Sequence, residues 1–319
     1  MKLARYMGGG QVAIVEEPKP TLPKGGLLVR TEACGLCSGE LMSWYMDKKI
    51  PHVLGHEVAG IVEASEDERF PVGSRVFPHH HAPCLKCDQC RIGAYVHCAQ
   101  WKRTKLVPGG MAEYFAVSAE NLNDTIVVDD IRPEDAALIE PLACVSKSVM
   151  NAYSATRPAV VGLGVMGLMH ALCLYDVAVI AYDTNPQRVE WARSVGIDAR
   201  LPEAHEPADV VIVCPGSQVA FDFAFRIAGP ASTIVMFAPL PPGEALIVPQ
   251  EAYFKDLTIT QSYSCGPDDT KTAANLIRAG RLKYEQVISH VIGIDELPAA
   301  YLRMKNGEIL KPMVVFDHD

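Results

Sequence analysis

Pro83-Cys84-Leu85-Lys86-Cys87-Asp88-Gln89-Cys90-Arg91-Ile92-Gly93-Ala94-Tyr95-Val96-His97-Cys98 is the stretch from which the fold of this 319-residue chain can be read. Its cysteines follow the pattern Cys-x2-Cys-x2-Cys-x7-Cys. Four thiolates in so short and polar a segment can close a tetrahedral shell around one zinc with no open position, and such a site couples metal binding to the folding of its own lobe. Two other chemistries also cluster cysteines. Disulfides belong to oxidising compartments. Bacterial ferredoxins share the first spacings, but their fourth cysteine follows after three residues and precedes proline, whereas here it follows after seven and precedes Ala99. Spacing and ligand type therefore predict a structural zinc at Cys84, Cys87, Cys90 and Cys98.

Outward from this lobe, the composition is that of a globular protein large enough for two domains, with 49% hydrophobic and 21% charged residues. The 29 basic and 38 acidic residues leave a net charge of -9 with no basic run, which excludes a general nucleic-acid surface. Met1 to Gly10 lacks the apolar core of a signal peptide, so a cytoplasmic location is expected. The longest apolar region, 159–182, has the length of a membrane span. Its three spaced glycines, His170 and Asp176 instead predict a buried strand-helix-strand unit and no membrane partner.

Residues 1–150 read as short strands punctuated by glycine and proline, at 11–15, 26–31, 59–63, 74–77 and 112–117. Helical patterning is confined to 132–139, where Pro133 suits a first turn, and to the stretch from Val145 onward. Within this β-rich part sit Cys37, His56 and Glu57. Thiolate, imidazole and carboxylate together suit a catalytic zinc, which needs three protein ligands and one open position. Cys34, Cys144, Cys173, Cys214 and Cys265 have the apolar or small-residue surroundings of core cysteines.

After Asn151 the periodicity changes. A strand at 159–161 runs into Gly162-Leu163-Gly164-Val165-Met166-Gly167, a helix follows at 168–174, and a strand at 177–182 ends on Asp183. Strand, glycine turn, helix and a later acid together form a dinucleotide fingerprint. Gly162 permits the turn, Gly164 lets the pyrophosphate approach the backbone, and Gly167 allows close helix–strand packing. Asp183 would accept hydrogen bonds from the ribose hydroxyls and favour NAD; Arg188 is the opposing clue, since arginine can hold a 2'-phosphate. Strands at 209–214, 232–237 and 257–263, with a helix at 219–227, extend a parallel sheet. A helix at 268–279 and strands near 287–292 and 313–316 would rejoin the first domain. The expected organisation is α/β, with a cofactor domain at 151–266 inserted between 1–150 and 267–319.

Taken in order, Gly35-Leu36-Cys37, Gly55-His56-Glu57-Val58-Ala59-Gly60, the four-cysteine lobe, Pro108-Gly109-Gly110-Met111-Ala112-Glu113-Tyr114, Glu140-Pro141-Leu142 and the glycine turn resemble the zinc-dependent medium-chain dehydrogenase/reductase superfamily over nearly the whole chain. The Glu-Pro-Leu element is more similar to the sorbitol and threonine dehydrogenase branch than to liver-type alcohol dehydrogenases, which carry cysteine there. The resemblance implies a GroES-like β-rich catalytic domain, a Rossmann domain, and two zinc ions per chain with NAD. It implies that Cys37 and His56 ligate the catalytic zinc, that Glu57 and Glu140 are the carboxylates from which the remaining ligand or a holder of the zinc water is drawn, and that Glu40 orients the histidine. A homodimer or homotetramer is implied as well. Relatives commonly pass the alcohol proton through Ser or Thr two residues after the cysteine and a histidine three further on; Gly39 and Met42 stand there and carry no proton. In His79-His80-His81, His80 falls at a substrate-pocket position of the family, and an imidazole of ordinary pKa near 6.5 would restore the relay. The expected reaction is hydride transfer between NAD and a secondary alcohol of a polyol, sugar or amino alcohol. The alternative is a zinc-containing reductase of a ketone, imine or activated alkene.

Overall fold

The computed structural model describes residues 1–150, 155–174 and 176–317. The chain divides into two compact units, Met1–Ala143 with Cys265–Asp319, and Cys144–Ser264. The seam expected at Asn151 lies outside the described residues.

The first unit begins with β1 (Lys2–Gly8), β2 (Gln11–Glu16), β3 (Leu27–Gly35), β4 (His52–Val53), β5 (Glu57–Ser65), β6 (Arg75–Pro78), β7 (Tyr114–Val117) and β8 (Thr125–Val127). The second holds β9 (Pro158–Val161), β10 (Ile180–Tyr182), β11 (Asp198–Arg200), β12 (Ala208–Val213), β13 (Ala228–Met236) and β14 (Thr258–Gln261). The returning chain adds β15 (His290–Ile292) and β16 (Pro312–Val315) to the first unit.

β3 is the centre of the larger sheet of the first unit, which runs β15-β16-β3-β5-β6-β8 with β7 also paired to β3. Its sequence, LLVRTEACG, is buried at nearly every position, as a strand covered on both faces must be. Val29, Val58, Val62, Val76, Phe115, Val117 and Val314 form the core against it. Because β3 ends at Gly35 and its antiparallel partner β5 starts at Glu57, with Gly35 facing Glu57 in register, Cys37 and His56 leave the same end of the sheet. A separate three-stranded sheet orders β2-β1-β4. Of the two helical stretches expected, that at 132–139 is the short helix Pro133–Ala137, and that expected from Val145 begins earlier, as Ile139–Val149, with Glu140 in its first turn.

In the second unit all six strands are parallel in the order β11-β10-β9-β12-β13-β14. The order reverses at β9, and the crevice at the carboxyl end of such a strand is where doubly wound sheets hold dinucleotides. The glycine turn occupies that end, before the helix Val165–Cys173. The described residues of the apolar region 159–182 thus form β9, the glycine turn, that helix and β10, and no helix among the described residues is long and apolar enough to cross a membrane.

Candidate active site

The four-cysteine lobe is built on a short helix, Asp88–Arg91, and a turn at Tyr95–His97. Sulfurs of Cys84, Cys87, Cys90 and Cys98 all lie within 4.8 Å of one another, those of Cys87 and Cys90 at 3.5 Å. A tetrahedral zinc with Zn–S bonds of ~2.3 Å holds its sulfurs ~3.8 Å apart, so the set fits one ion. None of the ten cysteines is in a disulfide. Burial opposes ionisation of Cys98, but backbone N–H groups of Cys84, Trp101 and Gln100 outweigh it and draw the thiol down to about 6, toward the thiolate a metal needs. Val96 and Trp101 pack beneath the sulfurs. The Tyr95 hydroxyl donates to Asp268 at 2.8 Å, fastening the lobe to the start of the helix Pro267–Arg278.

A second set gathers Cys37, His56 and Glu57, again with ligand atoms within 4.8 Å. Gly55, at φ +93°, makes the turn that presents them; a Cβ there would lie 2.3 Å from the Met111 nitrogen, so no other residue fits. Glu40 is buried behind the histidine. Its Oε1 stands 3.3 Å from His56 Nδ1 and accepts from the Gly55 N–H at 2.8 Å, while the Tyr301 hydroxyl holds the Glu40 carbonyl at 2.9 Å. Nε2 of His56 is thereby left for a metal, as a carboxylate behind a ligating imidazole arranges. Burial would lower the His56 pKa, yet Cys37 and Glu40 raise it well above the ordinary value: the pocket is built to hold a positive charge.

Sequence reading missed Lys311. Its Nζ pairs with Glu57 Oε2, both groups being almost wholly buried, and donates to the Leu36 carbonyl at 2.8 Å. Burial opposes its charge, but Glu57 and Cys37 outweigh burial and keep the ammonium protonated. A lysine before a terminal strand carries no local signal of a partner near the start of the chain.

Glu140 gathers with His79 and His80 in a third set, and after burial the charges that act most on its carboxyl are those of His56 and Glu57. His79 Nδ1 lies 2.7 Å from Asp124 Oδ2, and Thr270 donates to the other Asp124 oxygen at 2.6 Å. Asn121 Nδ2 holds the carbonyls of His79 and His80 at 2.9 and 3.2 Å. The His80 ring lies 4.7 Å from that of His56. The expectation of an ordinary imidazole there is corrected: burial first, and then His56, His81 and His79, push His80 well below 6.5, so it is neutral at neutral pH.

In the second unit Gly162 has φ +91°, and a Cβ on Gly167 would lie 1.7 Å from the Gly162 carbonyl oxygen, so both positions require glycine. A Cβ on Gly164 would meet nothing within 4 Å, which leaves its backbone open to a ligand. Gly164 N-caps the helix without a side chain, leaving the N–H groups of Val165, Met166 and Gly167 toward the helix start for an anion. Asp183 Oδ2 accepts from the Leu163 N–H at 2.7 Å and Oδ1 from the Asn185 N–H at 2.8 Å, while Arg188 approaches Asp183 to 3.8 Å.

Comparison with known proteins matches residues 23–126 to the alcohol dehydrogenase GroES-like domain and residues 162–279 to the zinc-binding dehydrogenase family. The chain is 28% identical to D-altritol 5-dehydrogenase of Agrobacterium fabrum, with 93% of this chain and 94% of that protein aligned. It is 24% identical to L-threonine 3-dehydrogenase of Shewanella loihica, over 95% and 96% of the two chains. Among solved structures, the alcohol dehydrogenase TADH of Thermus sp. ATN1 superposes with a TM-score of 0.87 at 25% identity, covering 99% of this chain and 100% of that one. With both halves matched in order and the fold shared end to end, the chain belongs to the zinc-dependent medium-chain dehydrogenase/reductase superfamily, on its sorbitol and threonine dehydrogenase-like side.

Proposed function

We propose that this enzyme, a zinc-dependent alcohol or polyol dehydrogenase, oxidises a secondary alcohol of a polyhydroxylated substrate with NAD and reduces the matching ketone. The observation that carries the reading is the convergence of Cys37, His56 and Glu57 in a chain that also has the dinucleotide fingerprint. Zinc held by these three supplies Lewis acidity toward the substrate oxygen, and NAD supplies the hydride acceptor. The remaining work falls to the chain. Glu40 sets the tautomer of His56, and Lys311 occupies Oε2 of Glu57, leaving Oε1 for the metal. With Gly39 and Met42 unable to carry a proton, neutral His80, whose buried Nδ1 has no hydrogen-bond partner among the described residues, is the acceptor for the alcohol proton. The N–H groups after Gly164 take the diphosphate and Asp183 the ribose, which favours NAD over NADP.

Two further readings accompany this one. Tyr253, Phe254, Ile247 and Val219 are exposed apolar side chains of the unit whose edge strand is β14, which supports self-association through that unit. Ten free thiols suit a reducing compartment and a cytoplasmic site of action.

An NADH-monitored screen of polyols, hydroxy acids and amino alcohols tests the function. Turnover is expected on a polyol, with Cys37→Ala inactive but still quenching on NAD addition. Near-normal activity in Cys37→Ala would refute the assignment.

A further inference from the structure

We propose that Lys49 and Lys105 form an anion-binding rim beside the Cys37–His56–Glu57 centre, and that the alcohol oxidised there is a polyol with a terminal carboxylate or phosphate monoester. This rests on the dehydrogenase reading above and deepens it by naming the substrate class.

The chain around the centre carries both lysines to it. Residues 38–55 leave the sheet after β3 and return to it at His56, so Lys49 stands on the excursion that joins the proposed ligands Cys37 and His56. Lys105 follows Thr104, whose carbonyl meets His81 Nδ1 at 2.9 Å and whose hydroxyl oxygen accepts from the Ala82 N–H at 2.7 Å. The His81 ring lies 4.1 Å from that of His80, and the His80 ring 4.7 Å from that of His56. A row of imidazoles thus runs from His56 to the loop that carries Lys105. Burial does most to lower the pKa of His52, His80 and His81, but Lys49 also acts on all three and Lys105 on His52, so both ammoniums are within electrostatic reach of these rings.

The two charges are uncommitted. Among the described residues Lys2, Lys19 and Lys311 meet carboxylates, and Lys147 and Lys255 donate to backbone carbonyls. Lys49 and Lys105 do neither, and both are exposed. Lys49 Nζ rests 3.7 Å from the centroid of the Tyr45 ring, a contact that steadies the ammonium without occupying it with an acceptor oxygen. Glu40 and Glu57, buried acids of the centre, are already matched to His56 and Lys311. In a chain of net charge -9, two unmatched cations at one mouth are a local reversal of sign that draws an anion in. A polyol whose reacting hydroxyl meets the metal extends its far carbons outward, where an anionic end group gains two charge-assisted contacts and an uncharged one gains none. The rim therefore sorts substrates by charge.

The test is calorimetric binding of one six-carbon skeleton in three forms, D-glucitol, D-gluconate and D-glucitol 6-phosphate, to the zinc-loaded full chain saturated with NADH. At least one anion is expected to bind about 10-fold more tightly than glucitol, and the tighter of the two identifies the end group. That ratio should fall about 3- to 10-fold in Lys49→Met and in Lys105→Met, persist in Lys49→Arg, and shrink as salt is raised. A merely structural defect would weaken all three forms alike and leave the ratio unchanged. Anions that bind no more tightly than glucitol would overturn the rim, as would a variant carrying both Lys49→Met and Lys105→Met that keeps the wild-type ratio. Failure of the dehydrogenase reading looks different: the alcohol screen would then yield no NADH, whatever these affinities.

Discussion

Asp183 does two jobs at once. Its oxygens hold the Leu163 and Asn185 N–H groups, which shapes the glycine turn, and the proposed function gives the same carboxylate the ribose as well. Asp183→Ala is therefore expected to raise the NADP-to-NAD ratio of kcat/KM by about 10- to 100-fold while lowering stability by ~2 kcal/mol, because hydrogen bonds to a charged acceptor are lost along with the repulsion of a 2'-phosphate. Initial rates with both cofactors and a denaturant melt check the two effects separately; a wild type that already prefers NADP would refute the first. Lys311 is the other residue on which the site turns. Removing one partner of a buried ion pair strands the other, so Lys311→Met should cost ~3–5 kcal/mol. Adding Glu57→Gln should recover part of that loss, which a double-mutant cycle measures. Additive losses would show that the pair is not coupled.

At the scale of elements, the lobe has a small core of four cysteines, Tyr95, Val96 and Trp101, and as a zinc site it would be a metal-dependent folding unit. Cys90→Ser is expected to remove about one zinc per chain and to lower the melting temperature, because metal affinity there is folding free energy. Full metal content with unchanged melting would rule out the structural site. This element was legible from sequence because its ligands are local, and so was the glycine turn, whose geometry needs particular residues at fixed spacing. The apolar strands β9 and β12 were legible as short hydrophobic runs. β4 and β11 were not: His52–Val53 and Asp198–Arg200 are two and three residues long and polar in part, and their neighbours, not their composition, make them strands. The same holds at the site. Cys37, His56 and Glu57 sit in recognisable motifs, whereas Lys311, Asp124 and Thr270 act through contacts between distant parts of the sequence that no local pattern encodes.

The whole molecule is a first unit completed by the last part of the chain. β16 pairs with β3, setting Met313 opposite Gly35 and Val314 opposite Cys34, at the strand that leads to Cys37. A chain ended after Leu310 should lose the metal of the Cys37 centre, keep NAD binding by the second unit, and retain the metal of the lobe, which elemental analysis and nucleotide titration would show. Loss of all three together would mean that the units do not fold independently. The discontinuity also has a temporal side. Chains emerge from the ribosome N-terminus first, so the lobe cysteines, fourteen residues apart at most, can capture metal while synthesis continues. Glu57 meanwhile waits, without its ammonium partner, for Lys311 to be made much later. On the proposed zinc sites, order of manufacture, ahead of affinity, would decide which fills first, and in a zinc-starved cell the nascent lobe would take its ion before the reactive centre exists to compete for one.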